Sequence, residues 1–346
     1  MTAPSDRRLR PPGPRGAGWR RPLLVGLGVA TVLAAGFVAA RVTTRTGSGA
    51  RVIVLHAYSA LDEVLSGAVL PAFADAWTAR TGERLHFATT YEGSGALCDR
   101  ILRGEVAEVA ILASAMDAAR LAPSVVPPAS WEALPHRGVL ARTPVVLVVR
   151  EGNPAGIHDF ADLAAQDLAV IRPDPRTSGL GAWSILAVYG AGRRASLSHK
   201  EALARVFALE ATSLPPAISA RAASRCFRLG TGDACFAYAH DVAPTPARPA
   251  PPGEVVRPRS TILCEPVVVV IDREIPPADR EMVDAFVRYL WSAEAQATLV
   301  AYGLLPAGAD PSAAGIEDPF TLRDLGGPEA ARRQVLDALR QRSSSD

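Results

Sequence analysis

The chain has 346 residues, which is enough for one large or two medium-sized domains with a substantial buried core. Hydrophobic residues make up 49% and charged residues 21% of the sequence, a balance that excludes an intrinsically disordered chain. The formal net charge is +2, but residues 1–40 contain six arginines and one aspartate. The rest therefore carries 31 basic against 34 acidic residues and lacks the basic excess of nucleic-acid-binding proteins.

The amino-terminal segment has the pattern of an export signal. A basic region at 1–21 precedes an uncharged apolar run at 22–40, which ends in the small residues Val38-Ala39-Ala40. This pattern predicts a signal peptide cut after Ala40 and a periplasmic or otherwise extracytoplasmic location for the remainder. An uncleaved membrane anchor is the alternative, because an apolar run of this length also just spans a bilayer. A short polar linker follows at 41–50.

From Arg51 onwards, buried strands alternate with amphipathic helices. Strands are predicted at Arg51–Ala57, Leu85–Tyr91, Glu108–Ala113, Thr143–Arg150, Leu168–Ile171, Ala234–Ala239 and Thr261–Asp272. The last predicted helices lie at Pro276–Leu290 and Ser292–Tyr302. This alternation is typical of α/β proteins with doubly wound, parallel sheets.

Two long strands, Thr143–Arg150 and Thr261–Asp272, divide the chain into thirds. If each strand crosses between two lobes, residues 51–142 and 266–346 form the first lobe and residues 143–265 form the second. In open α/β sheets, ligands bind beyond the carboxyl ends of the strands. The sequence therefore predicts a two-lobed α/β protein with a ligand site in the cleft between the lobes.

Hydroxyl residues stand at the helix starts that follow the predicted strands. The segment Leu168–Gly190 passes through Thr177-Ser178-Gly179 into a helix, and Leu85–Gly104 repeats the arrangement through Glu92-Gly93-Ser94-Gly95. Free backbone N–H groups and the positive end of a helix dipole then meet at one point, which suits a small anion. Capping alone explains any single serine, but the repetition beside glycines favours an anion cleft. The four serines concerned are Ser59, Ser94, Ser178 and Ser219.

Seven segments between residues 51 and 305 match a known family. They are WTARTGERL, YEGSGALCDRILRGEVAEVAILA, ARTPVVLVVREGNPAGIHDFADLA, VIRPDPRTSGLGAW, RLGTGDACFAYAHD, STILCEPVVVVID and YLWSAEAQATLVAYGLLP. On these segments the chain resembles the periplasmic sulfate- and thiosulfate-binding proteins of ABC importers. The resemblance implies a type II periplasmic-binding-protein fold and a monomer that captures sulfate or a related oxyanion for an ABC permease. It implies no cofactor, no metal, no nucleic-acid partner and no enzymatic activity.

In that family uncharged donors from both lobes surround the dianion, and the resemblance assigns donors in this chain. Ser94 matches the first-lobe serine, while Ser178 and Gly179 match the second-lobe pair. Ala220 matches a backbone donor near a helix start. Three positions depart from the family pattern, since Leu180 replaces a glycine, Tyr238 a tryptophan and Ser59 an aspartate. The O–H of Tyr238 would have to take the place of an indole N–H.

Glu92 stands where the family carries glycine, and its carboxylate bears on the choice of ligand. Sulfate is fully ionised at neutral pH and needs only donors, whereas hydrogen phosphate carries a proton that needs an acceptor. We expect Glu92 to point away from the site, which favours sulfate or thiosulfate. Phosphate and molybdate are the alternative ligands.

Other functions have weaker support in the sequence. A Ser-dependent hydrolase is one alternative, although the motif around Ser94 lacks the leading glycine of a hydrolase elbow. A membrane-anchored sensor or scaffold is another. We expect structural roles for Arg221 and for the pair His240-Asp241. The four cysteines match no zinc pattern. A Cys226–Cys235 disulfide and buried free thiols are both open in an oxidising compartment.

Overall fold

The computed structural model describes residues 50–164, 167–245 and 253–343. The basic region, the apolar run and nearly all of the linker expected at the amino terminus lie outside the described residues. Within the described ranges, no helix is both long enough and apolar enough to cross a membrane.

The described residues form strands and helices in close alternation, which confirms the α/β class. The strands are β1 (Ala50–Tyr58), β2 (Arg84–Glu92), β3 (Val109–Leu112), β4 (Ala141–Val149), β5 (Val170–Ile171), β6 (Ala234–Tyr238), β7 (Glu254–Val256), β8 (Ser260–Cys264), β9 (Val267–Val270), β10 (Leu305–Pro306) and β11 (Asp318–Phe320). The helices are α1 (Asp62–Val64), α2 (Leu70–Thr81), α3 (Ser94–Leu102), α4 (Ala115–Leu121), α5 (Gly179–Arg194), α6 (His199–Thr212), α7 (Ala220–Arg228), α8 (Ala239–Val242), α9 (Arg280–Tyr289), α10 (Ala293–Ala301), α11 (Pro328–Ala331) and α12 (Asp337–Ser343).

The first sheet, which with its helices we call the first lobe, has the strand order β2-β1-β3-β9. Strands β1 and β3 run parallel, with Leu55 opposite Val109. All of β3 is buried, and its alternate residues pack into separate apolar clusters on the two faces of the sheet. Because β1 and β3 are parallel, their carboxyl ends lie at one edge, where Ser59 and Ala113 follow them.

The second sheet, the centre of the second lobe, has the order β11-β8-β4-β6-β5, and β7 and β10 also pair with β4. Strands β5 and β6 run parallel, whereas β4 is antiparallel to β6 and β8. Both sheets are therefore mixed, where the sequence predicted parallel ones. The strands that carry the chain between the sheets run against their neighbours, which the alternation of strands and helices does not reveal.

The chain passes between the two sheets at the two predicted places. Leu140, just before β4, donates its N–H to the carbonyl of Pro266 at 2.8 Å. The strand predicted at 261–272 is divided into β8, in the second sheet, and β9, in the first. Pro266 lies between the two strands. A proline has no N–H to donate, so it interrupts the hydrogen-bonded ladder of a strand.

The carboxyl-terminal segment reaches the second sheet, although the sequence analysis placed residues 266–346 in the first lobe. Strand β11 pairs in parallel with β8, with Phe320 opposite Ile262. The Phe320 ring lies against Gly190 of α5, where an added Cβ would approach the ring to 2.2 Å. A strand of three residues is too short to produce a recognisable pattern, and the glycine that admits the ring is far away in the chain.

Candidate functional site

Helix α5 begins with backbone N–H groups that its own helix does not use. The preceding loop is fixed because the carbonyl of Asp174 accepts from the N–H of Ser178 at 2.8 Å, while the Asp174 N–H donates to Ala217 at 2.7 Å. Ser178 is the N-cap residue, but its hydroxyl makes no capping hydrogen bond. The first-turn N–H groups, including those of Gly179 and Leu180, have no partner within the helix. This end of α5 can therefore donate to an anion.

Tyr238 ends β6 beside that helix start. Its side chain is buried, with 1% exposure, and its hydroxyl has no hydrogen-bond partner among the described residues. An added Cβ on Gly179 would lie 3.4 Å from the Tyr238 Oη. Burial raises the pKa of Tyr238 well above its usual value, so the phenol keeps its proton at neutral pH. A buried hydroxyl without an acceptor costs about 1–3 kcal/mol, which a bound anion would offset.

Ser94 begins α3 in the first lobe, and its hydroxyl already has protein partners. The Oγ donates to Asp117 at 2.7 Å and accepts from the N–H of Ala113 at 2.9 Å. Because the hydroxyl proton is used in this way, Ser94 can donate to a ligand only through its backbone N–H. No side chain caps α3, which leaves that N–H without a helical partner.

The start of α3 packs directly on the loop before α5. An added Cβ would lie 2.2 Å from the Thr177 carbonyl oxygen at Gly93, and equally close to the Arg176 carbonyl at Gly95. The N–H of Ala96 donates to the Thr177 carbonyl at 3.1 Å. Only glycines allow this approach, so the two serine–glycine turns predicted from the sequence meet each other across the lobes.

Helix α7 brings a third helix start to the same place. The hydroxyl of Thr177 donates to the Ile218 carbonyl at 3.0 Å. Ser219 caps α7, because its hydroxyl accepts from the Ala222 N–H at 3.2 Å. Ala220 is the first helical residue and is buried, with its N–H outside the helical pattern.

Ser59 lies in the turn after β1, at the first-lobe side of this junction. Arg221 of α7 donates to the Ser59 carbonyl at 3.2 Å and to Asp62 at 2.7 Å, which joins the two lobes. Tyr58 meets Tyr238 edge to face, with the ring centroids 5.8 Å apart. The structure thus brings the segments of all seven predicted site residues together. They are Ser59, Ser94, Ser178, Gly179, Leu180, Ala220 and Tyr238.

The charged groups around the junction are paired with one another. Glu92 forms an ion pair with Arg100, on a depression of the surface that Asp99 and Arg103 also line. Asp117 is held by Ser94, and burial raises the pKa of its carboxyl above the usual value. The carboxylates of Glu92 and Asp117 are therefore both engaged by protein groups.

Asp117 was not singled out from the sequence, and the contacts of His240, for which a structural role was expected, were not predicted. The segment Ser114-Ala115-Met116-Asp117 has the spacing of a capping box, which could have marked Asp117. His240 is buried and bridges the lobes, with Nδ1 3.1 Å from the Thr143 hydroxyl and Nε2 3.3 Å from the Ala60 carbonyl. No local pattern indicates these bridges, because the partners lie far apart in the chain.

All four cysteines are free thiols, with Cys98, Cys235 and Cys264 buried and Cys226 exposed. Burial raises the pKa of Cys235 to about 12, which makes its thiolate scarce at neutral pH. Across the described ranges, no group of His, Cys, Asp and Glu side chains is arranged to hold a metal ion.

The fold and the junction of helix starts define a class of binding protein. A family model for bacterial extracellular solute-binding proteins matches residues 66–305, and the chain belongs to that family. This finding and the relatives below confirm the family resemblance seen in the sequence.

Among curated relatives, the chain is 28% identical over 291 residues to a sulfate-binding protein of Synechococcus elongatus, covering 81% of this chain and 83% of the relative. It is 30% identical over 231 residues to the sulfate-binding protein of Salmonella typhimurium, covering 65% of this chain and 70% of the relative. It is also 30% identical over 234 residues to a thiosulfate-binding protein of Pseudomonas aeruginosa, with the same coverage of 65% and 70%.

Solved structures support the two-lobed fold. The sulfate-binding protein SubI from Mycobacterium tuberculosis H37Rv superposes with a TM-score of 0.72 at 27% identity, covering 82% of this chain and 99% of SubI. A periplasmic thiamin binding protein superposes with a TM-score of 0.61 at 15% identity, covering 83% of this chain and 96% of that one. The second likeness concerns the fold alone.

Proposed function

We propose that the chain is an extracytoplasmic binding protein that captures sulfate or thiosulfate between its lobes and delivers it to an ABC permease. The proposed donors are the backbone N–H groups at the starts of α3, α5 and α7, together with the side-chain hydroxyls of Ser59, Ser178 and Tyr238. The protein acts as a monomer and catalyses no reaction. The curated relatives described above are named sulfate- and thiosulfate-binding proteins, and the site geometry supports the same ligand class.

One observation carries the proposal: the hydroxyl of Tyr238 is buried beside Gly179 and has no acceptor among the described residues. A fully ionised oxyanion supplies acceptors and needs no acceptor in return. The Ser178 hydroxyl, which does not cap α5, lies next to the same helix start. A dianion at this point would therefore receive hydrogen bonds from groups that otherwise lack good partners.

The energies are sufficient without an arginine in direct contact. Hydrogen bonds to a charged group contribute roughly 1.5–3 kcal/mol each. With about five to seven donors, the gross gain is on the order of 10–15 kcal/mol, before the costs of desolvation and lobe closure. Micromolar affinity requires about 8 kcal/mol. Uncharged donors can thus hold the ligand tightly and still release it to a transporter.

The donors come from both lobes, so binding and closure are coupled. Ser59 and Ser94 belong to the first lobe, while Ser178, Ala220 and Tyr238 belong to the second. For Ser94 the proposed donor is the N–H, because its hydroxyl proton is used by Asp117. The full set of contacts forms only when the lobes close about their two crossing segments.

The test is a titration of protein from which bound anion has been removed by unfolding and refolding. Isothermal titration against sulfate, thiosulfate, phosphate, molybdate and tungstate should give micromolar or tighter binding of sulfate or thiosulfate. Binding of phosphate in preference to both would contradict the proposed ligand. Absence of binding across the panel would leave the fold without a transport role and would favour a scaffold.

A further inference from the structure

The two most exposed large hydrophobic side chains of the described residues flank a single helix. Ile218 is 74% exposed and Leu229 is 76% exposed. Ile218 precedes the N-cap residue Ser219 of α7, and Leu229 directly follows the helix, which contains three exposed arginines and no acidic residue. We call this set the basic stripe, and it consists of Ile218, Arg221, Arg225, Arg228 and Leu229.

The stripe is a fixed surface of one helical face. At about 100° per residue the three arginines project within one narrow sector of α7. Leu229 continues this surface at the end of the helix, and Ile218 lies at its other end, before the N-cap residue. The opposite face of α7 is buried through Ala223 and Phe227. Arg150 stacks on the Phe227 ring at 3.9 Å and donates to the Phe227 carbonyl, which anchors the helix against the second sheet.

The charges of the stripe are only partly neutralised. Arg221 pairs with Asp62 across the lobes. Arg225 and Arg228 are exposed, and neither forms an ion pair with a described carboxylate. Arginine is enriched at protein interfaces, and the exposed side chains of Ile218 and Leu229 offer apolar surface that a partner could bury.

The stripe also depends on ligand capture. Helix α7 begins at Ala220, one of the proposed donors, and its next residue, Arg221, reaches the Ser59 carbonyl of the first lobe. The position of α7 relative to the first lobe is therefore set by the contacts that form on closure. A partner that touches both the stripe and the first lobe would distinguish the closed form from the open one.

We propose that the basic stripe is the surface by which the closed protein docks on its permease, and that the permease presents acidic side chains around an apolar recess there. The proposal rests on the proposed function for the existence of a permease partner. Its own content is the location of the contact and the chemistry of the partner. Complementary charge mainly accelerates the encounter, whereas the aliphatic side chains stabilise the docked complex.

The experiment uses the host's sulfate permease, reconstituted in phosphatidylcholine proteoliposomes. The sulfate-loaded protein, purified from the same host, is added, and the stimulation of the permease's ATPase activity is measured. Arg225→Glu/Arg228→Glu should raise the protein concentration for half-maximal stimulation by about tenfold or more. This difference from the unmodified protein should depend steeply on the salt concentration. Leu229→Ser should raise it by about threefold. Sulfate affinity, measured separately by isothermal titration, should stay within about twofold of the unmodified protein, because these side chains lie outside the proposed donors.

The matched control is Arg257→Glu/Arg288→Glu, which makes the same charge change at two exposed arginines elsewhere. Unchanged stimulation by the stripe variant, or an equal loss in the control, would overturn the docking proposal. Binding of the unmodified protein to permease-free phosphatidylglycerol vesicles, abolished in the stripe variant, would assign the stripe to lipid and also overturn it. Failure of the proposed function would be seen earlier, as absence of sulfate binding in the titration.

Discussion

The indole N–H of Trp183 donates a hydrogen bond of 3.1 Å to the carbonyl of Ala113, and both residues are buried. Trp183 lies in α5 of the second lobe, and Ala113 directly follows β3 of the first. The Cβ of Ala113 also lies against Gly179, one turn earlier in the same helix. The start of α5 is thus attached to the first lobe at two points, which makes this contact a direct measure of lobe closure.

Gly179→Ala should prevent that contact. Its methyl group would lie 2.2 Å from the Ala113 Cβ, a separation that real Cβ atoms do not reach. Overpacking of this kind costs about 1–3 kcal/mol, so sulfate affinity should fall by about tenfold or more. Ala113→Gly removes the opposing methyl group, and the double variant should recover most of the affinity. Additive effects in titrations of the four proteins would show that the two residues do not touch in the bound form.

Tyr238→Phe keeps the ring and removes the unpartnered hydroxyl. Loss of one hydrogen bond to a charged ligand costs about 1.5–3 kcal/mol, so sulfate affinity should fall by about 10- to 100-fold. The unfolding free energy of the ligand-free protein should be unchanged or slightly higher, since a buried group without an acceptor has gone.

Tyr189→Phe is the control for Tyr238→Phe. The Tyr189 hydroxyl lies 2.9 Å from His199 Nδ1 and away from the junction of helix starts. Its removal should leave sulfate affinity unchanged. Equal affinities of the Tyr238→Phe variant and the unmodified protein would remove Tyr238 from the site.

Two N-cap serines should respond in opposite ways to replacement by alanine. Ser219→Ala removes a cap from α7 and should lower the free energy of unfolding by about 1 kcal/mol. Ser178 makes no capping hydrogen bond, so Ser178→Ala should leave stability nearly unchanged but weaken sulfate binding by about tenfold. Urea denaturation and titration of both variants measure the two effects. The assignment of Ser178 is wrong if its variant loses stability and keeps full affinity.

His56 should make stability depend on pH. Burial in β1 lowers the pKa of its imidazole, while Glu105 opposes that shift. The unfolded chain therefore binds more protons than the folded protein as the pH falls through the usual histidine range, so acidification destabilises the fold. His56→Leu should flatten the decrease in unfolding free energy between about pH 7 and pH 5. His86→Leu, at an exposed position, should leave that decrease unchanged. If unfolding free energy falls equally with pH in the unmodified protein and in both variants, His56 does not have this role.

The meeting of Ser94 and Ser178 could be predicted from the sequence because both follow strand ends and both have glycine neighbours. Parallel strands place their carboxyl ends at one edge, and glycine marks places where backbones come close. The hydrogen bonds of each hydroxyl could not be predicted in this way. Ser94 is engaged by Asp117, a residue of another helix, and no local spacing indicates that pair.

Long-range pairing also explains where the predicted domain boundaries and strand directions differ from the fold. The apolar run at 261–272 could be recognised in the sequence. Its division between two sheets depends on Pro266 and on the neighbouring strands with which β8 and β9 pair. The bridge from His240 to Thr143 and Ala60 joins three distant segments. Periodicity describes one segment at a time and therefore carries no information about such contacts.

Strand β11 forms one edge of the second sheet, and its residues 318–320 follow every other strand of that sheet in the chain. In a chain that lacks these residues, one side of β8 has no partner strand and the space beside Gly190 is not filled by Phe320. A nascent chain halted before that residue exposes an open strand edge to other nascent chains, a common starting point for aggregation. Nonsense mutations late in the gene would therefore yield insoluble material instead of a shortened receptor.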